Sequence, residues 1–222
     1  MDTTALWLSF RLGLLTLVIL LPIGVLVGRW LAYSRFHGKE IIEAALALPL
    51  VLPPTVFGFY LLKVFGVASP LGQFWQTVFG HRLVFTFDGL LIASVIFNLP
   101  FAVQPMQRSF EAIAPEVREA GSCCGLSPWQ VLKTVELPLA WPGILTALVL
   151  SFAHTLGEFG IVLMVGGSVP GETKTIAIAI YDRVQAFDDE AAASMSAVLL
   201  LISLIAITAT FVFSRRVGRR LG

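Results

Sequence analysis

The feature that most constrains the fold of this chain is a series of apolar stretches, each long enough to cross a lipid bilayer. A helix that spans the hydrocarbon core of roughly 30 Å needs about 20 mostly apolar residues. Only 13% of the residues are charged, whereas an ordinary globular domain carries about a quarter. The sequence therefore predicts an all-α, multi-pass integral membrane protein with a single domain, residues 1–222. Its five transmembrane helices are expected near residues 6–28, 41–65, 88–106, 143–166 and 191–213.

The first stretch has the position of a secretion signal but not its composition. No basic residue precedes Arg11, and Pro22 and Arg29 follow the apolar run without a small-residue cleavage site. We therefore expect this stretch to be retained as a membrane helix.

Basic residues are distributed unequally between the two sets of loops, and this predicts the orientation of the chain. Lys and Arg residues near the ends of spans stay on the cytoplasmic side. One side carries Arg29, Arg35, Lys39, Arg108, Arg118, Lys133, Arg215, Arg216, Arg219 and Arg220, and the other carries Arg11, Lys63, Arg82, Lys174 and Arg183. The larger set predicts an external N-terminus, a cytoplasmic C-terminus and a cytoplasmic loop at residues 107–142.

This cytoplasmic loop has the features of a docking surface. Pro115 suits the start of a helix, and Gly121 and Gly125 permit a turn or close approach that a side chain would block. Ser127 followed by Pro128 suits the start of a second helix. Two short helices at an angle are predicted, which either fill a groove on a soluble partner or serve as an ordinary amphipathic connector. The predicted docking residues are Glu116, Arg118, Glu119, Ala120, Gly121, Gly125, Leu126, Leu137 and Pro138.

The second stretch contains three prolines, Pro49, Pro53 and Pro54, which remove amide donors and prevent a regular helix. Irregular backbone at membrane depth survives only where it faces protein or a water-filled cavity. The break predicts either a pathway lining formed by Pro53, Pro54 and Thr55 or a kink that serves packing.

Two ionisable residues of the fourth stretch, His154 and Glu158, lie one helical turn apart and so on one helix face. Ionisable groups at membrane depth mark a cavity or a paired site. We expect Glu158 to bond to His154 or to backbone amides of a facing subunit. Three roles stay open, namely holding a gate, contact with cargo and proton relay, although a carboxylate would repel an anionic cargo. The candidate pathway or gate residues here are Ser151, His154, Thr155, Gly157 and Glu158.

The chain lacks the sequence patterns of an enzyme or a nucleotide-binding protein. No Gly-x-x-x-x-Gly-Lys-Ser/Thr pattern occurs, and Ser151 and His154 lie in no nucleophile elbow. Adjacent Cys123 and Cys124, without a second pair or nearby histidines, make a poor metal site. A net charge of +1 without a basic and aromatic stripe indicates no nucleic-acid partner. We expect a chain with no cofactor or metal of its own, whose energy comes from a partner.

The cytoplasmic loop resembles the coupling loop of binding-protein-dependent ABC importers. That pattern is Glu-Ala-Ala, three residues, Gly, nine residues, Ile, one residue, Leu-Pro. The matching residues are Glu119, Ala120, Gly125, Leu137 and Pro138, whereas Gly121 replaces the second Ala and Val135 replaces the Ile. Three further segments resemble molybdate permease subunits of this type I importer family: LPLVLPP at 48–54, LGEFG at 156–160 and PGETKTI at 170–176.

The resemblance implies the type I importer permease fold and a function in moving molybdate across the cell (inner) membrane. It also implies a homodimer of permeases in the lipid bilayer, two cytoplasmic ABC ATPase subunits that bind ATP and Mg, and an external, periplasmic or lipid-anchored, oxyanion-binding protein. A permease for sulfate, thiosulfate or tungstate is the alternative within transport. An ATP-independent channel or proton-coupled secondary carrier is the alternative from another class.

Overall fold

A computed structural model describes the backbone of residues 2–221 and the side chains of these residues except those at 122, 209–211 and 213–221. Over this part of the chain every regular element is helical, so the all-α prediction is confirmed. The elements are α1 (Thr3–Tyr33), α2 (Lys39–Val51), α3 (Pro54–Phe65), α4 (Pro70–Phe79), α5 (Phe87–Glu111), α6 (Pro115–Cys123), α7 (Pro128–Val131), a π-helical turn (Leu132–Glu136), α8 (Leu137–Gly157), α9 (Gly160–Gly166), α10 (Ile176–Gln185) and α11 (Asp189–Leu221).

By length and composition, four of the described helical segments can cross a membrane, or five if the bent pair α2 and α3 counts as one span. The four segments are Thr3–Tyr33, Phe87–Glu111, Pro128–Gly157 and Asp189–Thr208. The orientation of the termini stays a prediction, and the C-terminal arginines that contribute to it have side chains outside the described set.

The second predicted span is broken where its prolines lie, because α2 and α3 are bent by 111° relative to each other. Leu52 leaves the helix with an extended backbone. Pro53 and Pro54 follow, and neither can donate the amide hydrogen bond that would continue α2.

Helices α1, α5 and α8 pack against one another and form the centre of the chain. Glycines allow these helices to approach closely. A methyl group at Gly28 of α1 would lie 3.0 Å from the amide nitrogen of Gln107 of α5. Where α5 meets α8, Met106 and Phe110 pack with Ile144, and all three are buried.

The fourth predicted span begins earlier than residue 143. Ser127 caps a helix that runs through α7, the π-helical turn and α8 as far as Gly157. The second short helix predicted for the loop is therefore the first turn of this long helix, and Leu137 and Pro138 lie inside it rather than at its entrance. Residues 112–127 remain between α5 and the long helix, so the connection is shorter than the predicted 107–142.

The same stretch, expected to be one helix from 143 to 166, is divided at Glu158. This residue has an extended backbone, and α9 begins at Gly160. Helix α9 packs against α3, since a methyl group at Gly160 would lie 2.8 Å from the Cβ of Pro54. The break in the fourth predicted span therefore adjoins the proline break in the second.

The segment after α9 leads the chain back to α1. The Thr173 hydroxyl donates a hydrogen bond of 2.6 Å to the carbonyl of Gly166, and the Ile176 amide donates one of 2.8 Å to the Ser9 hydroxyl. Helix α10 begins at that contact and packs against α11.

Candidate functional site

The first candidate surface is α6, the helix between α5 and the long fourth helix. It begins at Pro115, as predicted, and Glu116, Glu119 and Ala120 are exposed, whereas Arg118 is half-buried. The structure therefore presents an acidic, solvent-facing side of α6 and turns Arg118 inward.

The two glycines of the loop occupy different environments. Gly125 has a φ of +78°, in the left-handed region that favours glycine. The amide of Leu126 donates to the carbonyl of Gly121 at 3.3 Å, so α6 ends in a Schellman motif with Gly125 at its left-handed position. Gly121 is buried and helical, and a methyl group there would make ordinary contacts of 3.4 Å with Val131 and 3.8 Å with Leu126. Only Gly125 needs to be glycine for its backbone geometry.

The long helix begins with a complete capping box. The amide of Gln130 donates to the Ser127 hydroxyl at 3.4 Å, and the amide of Ser127 donates to the Gln130 side chain at 2.8 Å. This cap fixes the direction in which the chain leaves α6. Trp129, in the first turn, is exposed, and the ammonium of Lys133 lies 4.9 Å from its ring centroid.

A buried carboxylate, Glu136, joins α6 to two membrane helices. Its side chain is fully buried at the end of the π-helical turn. Arg29 of α1 donates to both of its oxygens, with an Nη2 to Oε1 distance of 3.1 Å, and the Nε of Arg118 lies 3.3 Å from Oε1. Two arginines from different elements therefore converge on one acidic group.

Tyr33 completes this group. The Arg118 guanidinium carbon lies 3.5 Å from the Tyr33 ring centroid, and the Arg29 guanidinium carbon lies 5.6 Å from it. The Tyr33 hydroxyl donates to the carbonyl of Phe110, in the last turn of α5, at 3.2 Å. The charged cluster, defined as Arg29, Tyr33, Arg118 and Glu136, thus touches α1, α5, α6 and the long fourth helix.

Sequence reasoning did not find this cluster, although it named Arg118. In the sequence, Arg29 bears on the orientation and on the secretion-signal argument alone, and Glu136 is the unspecified residue before Leu137 and Pro138 in the coupling pattern. The available signal was an acidic residue immediately before an apolar helix, because such a residue needs a partner when it is buried.

The π-helical turn ends at Glu136, two residues before Pro138. In a regular α-helix the ring of a proline clashes with the carbonyl four residues before it, and the wider turn of a π-helix relieves such crowding. The Leu137 amide accordingly donates to the carbonyl of Leu132, five residues back. Leu137 and Pro138 therefore act within the helix, next to Glu136.

The second candidate site is the polar group around His154. Its Nδ1 lies 3.1 Å from the Asn98 side-chain oxygen, and its Nε2 lies 3.8 Å from a Glu158 oxygen. Phe101 stacks on the imidazole at a centroid distance of 4.1 Å. The predicted proximity of His154 and Glu158 is present, and Asn98 and Phe101 of α5 are additions that the sequence did not indicate.

Glu158 bonds to a backbone amide of its own chain. One of its oxygens accepts a hydrogen bond of 3.2 Å from the Ile161 amide. The carboxylate therefore caps the start of α9 and offsets its unsatisfied amides. Glu158 can reach this amide because the helix is broken there and Glu158 lies after the end of α8.

The remaining pathway candidates divide into exposed and buried groups. Pro53, Pro54 and Thr55 are exposed at the bend between α2 and α3. Ser151 and Thr155 are buried within the chain, and the Thr155 hydroxyl donates to the Ser151 carbonyl at 2.8 Å. The Thr155 hydroxyl therefore bonds within α8, whereas the Ser151 hydroxyl is buried without a hydrogen-bond partner among the described residues. Gly157 is exposed.

The described residues include no group of three or more His, Cys, Asp or Glu side chains placed to hold a metal ion. Cys123 and Cys124 are free and exposed at the end of α6.

Comparison with known proteins decides the family. Residues 21–222 match the family described as the inner membrane component of binding-protein-dependent transport systems. The chain belongs to this family. It is accordingly a transport component of the inner membrane and not an enzyme.

The chain is similar to two molybdenum permeases over nearly their whole length and to a sulfate permease over a smaller part. The chain is 46% identical to the molybdenum transport system permease protein ModB of Azotobacter vinelandii over 210 residues, covering 95% of this chain and 93% of that protein. It is 34% identical to ModB of Escherichia coli K12, covering 90% of each. Identity to the sulfate transport system permease protein CysT of the same organism is 32%, covering 89% of this chain and 71% of that protein.

Solved structures show the same fold. The chain is similar to a chain of a bacterial alginate ABC transporter, with a TM-score of 0.78 and 16% identity over 97% of this chain and 78% of that one. It is also similar to a chain of the MetNI methionine ABC transporter in an inward-facing conformation, with a TM-score of 0.69 and 18% identity over 96% and 93%. The predicted importer permease fold is therefore confirmed.

Proposed function

We propose that this chain is the permease subunit of an ATP-driven ABC importer that moves molybdate across the inner membrane. The observation that carries the proposal is the 46% identity to a molybdenum permease over 95% of the chain. Similarity to the sulfate permease is lower and covers less of that protein. This difference favours molybdate over sulfate.

In the proposed assembly, two copies of the chain form the membrane part, two ATPase subunits bind ATP and Mg on the cytoplasmic side, and an external binding protein delivers the oxyanion. The N-terminus lies outside, as the basic residues predict. Helix α6 then lies on the cytoplasmic side, and its exposed face, with Glu116 and Glu119, contacts the ATPase. The sequence contains no P-loop pattern, and in this assembly the ATPase supplies the energy.

The bend between α2 and α3 and the break between α8 and α9 are the proposed gate region. These irregular segments adjoin each other at Pro54 and Gly160. Irregular backbone at membrane depth is tolerated beside protein or a water-filled cavity. His154, held by Asn98 and Phe101, is partly exposed and lies 3.8 Å from Glu158 at the break. Closing the ATPase pair would move α6 and shift the gate from inward-open to outward-open.

A charge reversal on α6 tests the docking role. Glu119→Lys, placed in the complete complex in lipid vesicles, should lower ATP-driven molybdate uptake by at least about tenfold, because a reversed charge opposes a complementary partner surface. Glu40→Lys is the matched control, since Glu40 is also exposed and lies on the same proposed side of the membrane. Uptake by Glu119→Lys equal to that of the unsubstituted complex would show that Glu119 is not part of the docking surface.

A competition measurement with the same vesicles separates the oxyanions. Tungstate and sulfate are added in excess while labelled molybdate uptake is followed. Strong inhibition by sulfate and little transport of molybdate would assign the chain to sulfate import instead.

A further inference from the structure

We propose that the charged cluster of Arg29, Tyr33, Arg118 and Glu136 is the link that transmits movement of α6 to the membrane helices, with Arg118 as its positioning residue. This inference rests on the proposed function, because it assumes that an ATPase moves α6. It adds which contacts carry that movement into the bundle.

The cluster is placed where such a link is needed. Helix α6 is short and most of its surface is exposed. Its packing contacts with the rest of the chain run to α7 and the π-helical turn, through Gly121 with Val131 and Val135. Arg118 reaches beyond this patch, to the carboxylate of Glu136 and the ring of Tyr33. A shift of α6 therefore acts on the long fourth helix by direct packing, and on α1 through Arg118, Glu136 and Arg29.

The burial of Glu136 makes the link stiff. Its side chain is 0% exposed, and a buried carboxylate loses much of its stabilisation when a charged partner moves away. Arg29 donates to both oxygens of the Glu136 carboxylate, and this bidentate pair fixes the orientation of the carboxylate. When α6 moves, Glu136 and Arg118 therefore move together, and Arg29 draws α1 along with them.

Tyr33 extends the link to α5. Its ring lies beneath the Arg118 guanidinium, and its hydroxyl bonds to the carbonyl of Phe110. A cation over an aromatic face is attracted to it and resists lateral displacement. Tyr33 therefore connects the end of α5 to Arg118, and the end of α5 moves when Arg118 moves.

The π-helical turn places this contact at a point where the helix can bend. Glu136 is the last residue of the turn, and α8 begins at the next residue. π-helical turns interrupt the regular hydrogen-bond ladder and occur at functional sites. The segment 128–136 can therefore follow α6 while α8 changes its angle.

Arg118→Gln is the variant that tests the link without removing the buried pair. Glu136 keeps Arg29 in this variant, and the Arg118 side chain is only partly buried, so the fold should persist. The measured quantity is molybdate transported per ATP hydrolysed, in vesicles that contain the complete complex. We expect this ratio to fall about tenfold, with ATP hydrolysis retained. Arg118→Lys should restore part of the ratio, because it returns the positive charge.

Arg108→Gln is the matched control, since Arg108 is an exposed arginine at the end of α5 paired with Glu111 at 2.9 Å. It should keep the normal ratio. A normal ratio in Arg118→Gln would overturn the inference. Loss of the ATPase from the purified Arg118→Gln complex would also overturn it, because Arg118 would then serve docking itself.

A second readout needs no cargo and so separates this inference from the proposed substrate. Spin labels are placed at Ala114→Cys, before α6, and at Leu26→Cys, an exposed position of α1, with Cys123 and Cys124 replaced by Ser, in the complex with its ATPase. With Arg118 present, the distance between the labels should stay constant when ATP is added, whereas Arg118→Gln should shift or broaden it. The same response in both proteins would contradict the link even if molybdate is transported. Absence of molybdate uptake by the unsubstituted complex would instead contradict the proposed function.

Discussion

Gly121 and Gly125 lie four residues apart and have opposite requirements. Gly125 has a positive φ and open space around it, so its backbone conformation is the constraint. Gly121 is helical and has room for a methyl group. Glycine at this position therefore lowers the stability of the helix relative to alanine, and no steric contact requires it. Its departure from the importer pattern therefore leaves the shape of α6 unchanged.

Replacing each glycine by alanine should have opposite effects on α6. Gly121→Ala should stabilise the helix by up to about 1 kcal/mol, and the new methyl group would contact Leu126 across the Schellman motif. Gly125→Ala should destabilise it by roughly 1–2 kcal/mol, because an L side chain is strained at positive φ. Hydrogen exchange of the amides at 115–126 reports this local stability. Faster exchange in Gly121→Ala than in the unsubstituted protein would contradict the account.

At the scale of elements, local chemistry decides some features and packing decides others. The prolines at 53 and 54 predict the break between α2 and α3 because proline lacks the donor that a helix needs. Ser127 predicts the start of the long helix through its cap. Nothing in Gly157 to Gly160 forbids a helix, and the break before α9 lies against Pro54, which belongs to another segment.

The Arg29 and Glu136 pair could not be predicted for a related reason. The two residues are 107 positions apart in the chain. Periodicity and caps report neighbours within a few residues, whereas this pair depends on how α1 packs beside the long fourth helix. The coupling motif located the surface of α6, and only the three-dimensional structure placed Arg118 against a buried carboxylate.

The start of α9 offers a prediction that separates two roles of Glu158. If the side chain acts as a helix cap, Glu158→Gln keeps an acceptor oxygen and should retain most molybdate uptake. Glu158→Ala removes the acceptor and should lower the stability of the protein by about 1 kcal/mol. Thermal unfolding in detergent, measured beside uptake, compares the two variants. Loss of uptake in a stable Glu158→Gln protein would assign a function to the charge, as a proton relay requires.

At the scale of the whole molecule, the chain has the form of one part of an assembly. Its helices α2 and α3 expose large apolar side chains, among them Val51, Phe59 and Tyr60. Lipid or a second permease copy would cover such a surface. The charged residues of α6 and of the charged cluster lie where the proposed energy input arrives, and Glu158 lies beside His154 at the proposed gate.

The central claim is that a partner ATPase drives molybdate import through this chain, and the energy source of uptake tests it most directly. Vesicles containing the permease, ATPase and binding protein are supplied with labelled molybdate, with or without ATP and with or without a protonophore. The account predicts that accumulation requires ATP and the ATPase and persists when the proton gradient is collapsed. Accumulation that persists without the ATPase and disappears with the proton gradient would contradict it.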